Sequence, residues 1–164
     1  MEISAHRLVG VSYQETPNKK GTIRPIYIIM HYDEASNATS AISWMLDTKS
    51  NVSAHIHISR EGTVTQLAPF NAKCWHAGIS FWKGLRDLNK YSIGIELQNK
   101  GTEFYTEKQI ESAVEVCKTI IAHYPIKEIL GHSDIAPGRK EDPGTRFPWM
   151  KFKPLTKRDD NGTT

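Results

Sequence analysis

The run Ile26-Tyr27-Ile28-Ile29-Met30 constrains this chain more than any other feature. Five consecutive apolar residues are strand-sized, and without polar alternation neither face of the strand can be turned to water. Such a strand belongs inside a sheet covered on both sides, and helices are the usual cover. The neighbouring segments supply them. Ala38, Ala41, Ile42, Met45 and Leu46 recur at helical spacing, with Ser36 or Asn37 available as N-cap. Thr106 and Gln109 have the spacing of a capping box, opening a helix whose apolar stripe is Ile110, Ala113, Val114, Cys117, Ile120 and Ile121. Residues 53–59 alternate, with Ala54, Ile56 and Ile58 on one face and His55 and His57 on the other. Arg60-Glu61-Gly62-Thr63 then turns the chain into Val64-Thr65-Gln66-Leu67, which makes a hairpin. Residues 91–97 and 126–130 read as two further strands. Strands and helices interleave, which predicts an α/β fold: one layered domain with a central mixed β-sheet flanked by helices.

A length of 164 residues fits one domain. That size buries roughly 70% of the unfolded surface and needs no disulfide scaffold. Cys74 and Cys117 are expected as reduced thiols packed like small hydrophobes. Residues 1–24 read as an N-terminal arm with a short strand, 25–155 as the domain proper and 156–164 as a frayed polar tail. Hydrophobic residues at 38% and charged residues at 24% exclude a disordered chain. No apolar run approaches the ~20 residues of a membrane span. A net charge of +3 without a basic run gives no reason to expect nucleic acid, although it suits an anionic polymer as substrate. Residues 1–7 have no apolar core of a secretory signal, so a cytoplasmic location is expected, with release at lysis, export by a dedicated machinery or a trimmed exported form as the alternatives. A monomer is expected.

Seven histidines are the first chemical lead. His31 follows the buried strand, where side chains leave a sheet for a cleft. His132 stands in the same relation to 126–130, and Asp142 comes ten residues later. Two imidazoles and a carboxylate without cysteine form the ligand set of a catalytic zinc rather than a structural one. The spacing itself is unspecific and leaves satisfied histidines as the alternative. Glu96 ends an apolar strand, where a carboxylate either reaches solvent or has a task. Lys140, two residues before Asp142, is either a cation for a developing oxyanion or a solvated loop lysine.

Six ordered pieces carry a resemblance: Ile28-Ile29-Met30-His31-Tyr32, Ser53-Ala54-His55, Arg60-Glu61-Gly62-Thr63, Trp75-His76-Ala77-Gly78, Ser92-Ile93-Gly94-Ile95-Glu96, and residues 131–144 from Gly131-His132-Ser133-Asp134 to Asp142-Pro143-Gly144. From about Pro25 to Phe152 the chain resembles the zinc amidases of the N-acetylmuramoyl-L-alanine amidase type 2 family, most of all the AmpD-like branch. That family is related to peptidoglycan recognition proteins and T7-type lysozyme. The resemblance implies their fold, a catalytic domain at 25–155, and one zinc ion per chain on His31, His132 and Asp142. It implies Glu96 as the carboxylate acting on water at the zinc and Lys140 as the oxyanion partner. It places Trp75, His76, Ala77 and Tyr32 in the substrate groove. The implied reaction hydrolyses the amide between the lactyl group of N-acetylmuramic acid and L-alanine, in peptidoglycan or muropeptides. A module that binds peptidoglycan without cutting it is the alternative. Ala54 stands near the place where some branches use a tyrosine, which puts more weight on Glu96. Tyr32 stands where some relatives carry a polar residue. His55 is read as structural, His57 as a surface residue outside the pattern, and Trp82 as a second aromatic of the groove wall beside Trp75. His6 and His123 carry no such context.

Overall fold

A computed structural model describes residues 1–157. Its centre is a six-stranded sheet formed by β1 (Ser12–Tyr13), β2 (Tyr27–Tyr32), β3 (Ile56–Ile58), β4 (Val64–Gln66), β5 (Ser92–Leu97) and β6 (Glu128–Gly131). The spatial order is β6-β2-β5-β3-β4-β1. All neighbours run parallel except the hairpin pair β3–β4, so the sheet is mixed as expected. Gly62 makes that hairpin turn possible. Its φ is +83°, and its N–H donates to the Ser59 carbonyl.

The uninterrupted apolar run is explained by what lies on each face. Ile28 and Met30 of β2, Ile93, Ile95 and Leu97 of β5, and Ile56 and Ile58 of β3 pack against α2 (Glu107–His123). That helix contributes Ile110, Ala113, Val116, Cys117 and Ile120. The alternate residues Tyr27 and Ile29 pack on the opposite face with Ala77, Leu88, Leu130 and Ile135. His31, Glu96 and His57 continue this second face, because parallel register partners share a side of the sheet: Glu96 lies opposite both His31 and His57. The site therefore forms on the face away from α2.

α1 (Ala38–Leu46) starts where the sequence suggested, with Asn37 Oδ1 accepting from the Ser40 N–H at 2.8 Å. Only Ala41 and Met45 of its expected stripe are buried. At α2 the capping box is half made. Thr106 caps the Gln109 N–H, but the Gln109 side chain does not reach back. It is buried and donates to the carbonyls of Ile58 and Gln98, tying the helix to the ends of β3 and β5. The segment 1–24 is more than an arm, since β1 edges the main sheet and Leu8 enters the core. Lys153–Thr156 forms a 3₁₀ turn that includes the first residue of the expected tail; from Arg158 on, that tail lies outside the described residues. Cys74 and Cys117 are free and buried. Among the described residues no helix is long and apolar enough to cross a membrane.

Candidate active site

Three segments deliver the donor set. His31 is the fifth residue of β2, which runs two residues further than expected, to Tyr32. His132 opens α3 (His132–Ile135), the short helix that follows β6 directly. Asp142 sits on the next loop, held beside α3 by the Ser133 N–H, which donates to the Asp142 carbonyl at 3.0 Å. Because β2 and β6 are parallel neighbours, both histidines emerge at the same, carboxyl-terminal end of the strands. His31 Nδ1 lies 3.0 Å from His132 Nδ1 and 2.8 Å from Asp142 Oδ2, and His132 Nδ1 lies 3.2 Å from the same oxygen. All three residues are buried, and one ligand atom from each falls within 4.8 Å of the others.

The chemistry of this set fits a divalent metal. His132 Nε2 is 2.9 Å from the Ala77 carbonyl, which can only accept, so the ring proton is on Nε2 and Nδ1 offers a lone pair. That lone pair faces a carboxylate oxygen. Two acceptors this close in a dry site repel each other unless a cation lies between them. Two imidazole nitrogens and one carboxylate leave a fourth position open, as at hydrolytic zinc.

Glu96 Oε1 is 4.0 Å from His31 Nδ1, and the Glu96 side chain is 16% exposed. Its Oε2 is buried and has no hydrogen-bond partner among the described residues. Burial, then the charges of Asp142 and Asp33, push this carboxyl well above its ordinary value, while Lys140 pulls it back. A carboxyl shifted in this direction accepts a proton more readily than a solvated glutamate. Lys140 is exposed at the rim of the same cleft.

The cleft holds about 690 Å³, with Tyr32, Trp44, Trp75, His76, Arg139 and Lys140 among the residues that line it. Sequence reasoning missed Trp44. It lies outside the apolar stripe of α1, is 57% exposed, and lines the cleft rather than the core. Two expected groove residues are elsewhere. Ala77 is fully buried among Tyr27, Ile29 and Leu88, and it supports the site through its carbonyl alone. Trp82 packs against that same cluster and donates its Nε1–H to Glu128, so it is no part of the wall. His57 is not a surface residue. It is 1% exposed, with Nε2 2.8 Å from Asp33 Oδ2, and Asp33 lines the cleft. The strand alternation already put His57 on the face of His55; the missing signal was that a second layer covers this face. His55 is structural, accepting at Nδ1 from the Gly94 N–H and donating at Nε2 to the Ala72 carbonyl.

A profile of the N-acetylmuramoyl-L-alanine amidase family matches residues 21–145. The 1,6-anhydro-N-acetylmuramyl-L-alanine amidase AmpD of Enterobacter cloacae is 48% identical over 103 residues, 62% of this chain and 55% of that protein. The match thus spans little more than half the relative's length. A crystal structure of a selenomethionine AmpD derivative superposes with a TM-score of 0.83 at 29% identity, covering 96% of this chain and 100% of that one. The Escherichia coli amidase AmiD, solved with anhydro-N-acetylmuramic acid-L-Ala-D-γ-Glu-L-Lys as substrate, superposes with a TM-score of 0.71 at 33% identity over 88% of this chain and 59% of that one.

Proposed function

The chain belongs to the N-acetylmuramoyl-L-alanine amidase family, and from that premise we propose that it is a zinc-dependent amidase cutting the bond between the lactyl group of N-acetylmuramic acid and L-alanine in muropeptides. The observation that carries the proposal is the meeting of His31, His132 and Asp142 beside the partnerless carboxyl of Glu96. His31 and His132 through Nδ1, and Asp142 through its carboxylate, would hold the zinc, and the chemistry it would supply there is Lewis-acid polarisation of the amide carbonyl and activation of water.

The remaining work falls to the protein's own groups. Glu96 accepts the proton of the attacking water and passes it to the amide nitrogen, which cannot leave as an anion. A carboxyl raised by burial suits both halves of that transfer. Lys140 places positive charge at the rim where the carbonyl oxygen becomes negative. Trp44, Trp75 and Tyr32 wall the cleft, and Arg139, anchored on the Ala77 and Ile79 carbonyls, offers a cation to an anionic stem peptide. The relatives solved with anhydromuropeptides support this class of substrate.

A module that only binds peptidoglycan would have no use for a buried, partnerless carboxyl beside a metal set. Incubation of the zinc-loaded protein with an anhydromuramyl tripeptide, followed by mass analysis, tests the reading. It predicts a free peptide with an N-terminal alanine and an intact sugar acid. Binding without turnover, or cleavage within the peptide, would overturn it.

A further inference from the structure

We propose that His76 is a positioning residue that locks His31 in the one tautomer able to give a metal its Nδ1 lone pair. The inference rests on the metal reading of His31, His132 and Asp142. The resemblance assigns His76 to the substrate groove, whereas the hydrogen-bond pattern gives it a different task.

The hydrogen-bond relay starts at the carbonyl of buried Leu88, which accepts from Ser92 Oγ at 2.6 Å. A carbonyl has no proton to offer, so the only proton of the hydroxyl is committed there. Ser92 Oγ therefore meets His76 Nε2, 3.4 Å away, as an acceptor, and the ring proton of His76 is on Nε2. That leaves His76 Nδ1 as a lone pair 3.0 Å from His31 Nε2. The proton between them belongs to His31 Nε2, and His31 Nδ1 is left unprotonated, facing His132 Nδ1 and Asp142. With His132 already fixed by the Ala77 carbonyl, both imidazoles turn lone pairs to one point.

The ring of His76 has little freedom to do otherwise. Asn89 Oδ1 accepts from the backbone N–H groups of His76 and Ala77, at 3.0 and 2.8 Å. The ring lies over Gly94, where a Cβ would come within 2.5 Å of His76 Cγ. It meets His31 edge-on, with centroids 5.1 Å apart and planes at 86°. Partners of this kind, which orient a ligand through its second nitrogen, are typically worth 10–100-fold in metal affinity.

Two measurements test the proposal on the full chain. Long-range proton–nitrogen NMR of the metal-free protein at pH 8 reports which nitrogen of each imidazole is protonated. Protonated Nε2 and bare Nδ1 are expected for His31 and His76. Zinc affinity, read by competition with a chromogenic chelator, is then compared for wild type, His76→Phe and His76→Asn. The phenylalanine keeps the bulk but loses the acceptor, and affinity should fall 10–100-fold. Asparagine offers an oxygen near the place of Nδ1 and should restore most of it. Equal zinc affinity in wild type and His76→Phe, or a protonated Nδ1 on His31 in the wild type, overturns the proposal. If His76→Phe does not fold, the wild-type spectrum and His76→Asn carry the decision. If the wild type takes up no zinc, the metal reading is what fails, and the spectrum still decides whether His76 sets the tautomer.

Discussion

Gly94→Ala is the substitution whose cost follows most directly from geometry. Gly94 lies within β5, outside the left-handed region, so its backbone accepts alanine without strain. On strand propensity alone, replacing glycine by alanine should gain roughly 0.5–1 kcal/mol. The ring above reverses the sign. The new methyl would stand 2.5 Å from His76 Cγ and 2.7 Å from both Cδ2 and Nδ1, well inside van der Waals contact. The ring must retreat by about 1 Å to restore normal contact, but Asn89 holds its backbone and His31 its Nδ1. Overpacking of this kind costs about 1–3 kcal/mol. For a domain of this length that lowers Tm by roughly 2–4 °C per kcal/mol. Scanning calorimetry on the metal-free protein reads it. The decisive comparison is the same substitution in a His76→Ala background. With the ring gone, the clash goes too, and Gly94→Ala should become neutral or stabilising, a coupling of about 1–3 kcal/mol. Additive effects in the double variant, or an unchanged Tm in the single one, would refute the packing argument.

Three further expectations follow from the site. Glu96→Gln should lower kcat by about 10²–10⁴-fold with KM nearly constant, and elemental analysis should find the zinc content unchanged; retention of more than about a tenth of kcat removes Glu96 from the proton transfer. Trp44→Ala should raise KM by about 2–10-fold, the value of one aromatic contact, with Tm unmoved because the indole is 57% exposed; a lowered Tm would instead make Trp44 a packing residue. Burial pushes His55 down to about 4, against some support from the Ala72 carbonyl. The unfolded chain takes its proton near pH 6.5 and the folded one only near 4, so the stability of the neutral ring is present above 6.5 and lost as pH falls through that window. The loss is about 3 kcal/mol, and in metal-free protein His31 and His76, lowered chiefly by burial, act in the same direction. Denaturant midpoints that stay flat from pH 7 to 4 would contradict it.

Periodicity made the sheet and both long helices legible, because Ile28, Ile29 and Met30 can lie only in a strand covered twice, and the α2 stripe has one reading. Strand-end position singled out His31 and His132, but only the family resemblance joined loop residue Asp142 to them as one set. What periodicity could not supply was contact between distant segments. His57 looked like a solvent-facing alternate because nothing local reveals Asp33, 24 residues away, as its partner. Trp82 and Trp75 share a loop, yet a hairpin at 81–86 turns Trp82 to Glu128. Gln109 reads as a cap residue until the ends of β3 and β5 are seen above it. The relay from Leu88 through Ser92 and His76 to His31 joins a loop and two strands, and it depends on a hydroxyl rotor that no sequence pattern encodes.

The proposed amidase activity requires one zinc ion on His31, His132 and Asp142. The direct measurement strips the metal with chelator, then adds zinc in substoichiometric steps while muropeptide cleavage is followed. The account predicts no turnover without metal, a linear rise that breaks at one equivalent per chain, and no recovery in His132→Ala at the same zinc concentrations. Full turnover in chelator, or a rise that breaks elsewhere than one equivalent, would contradict it.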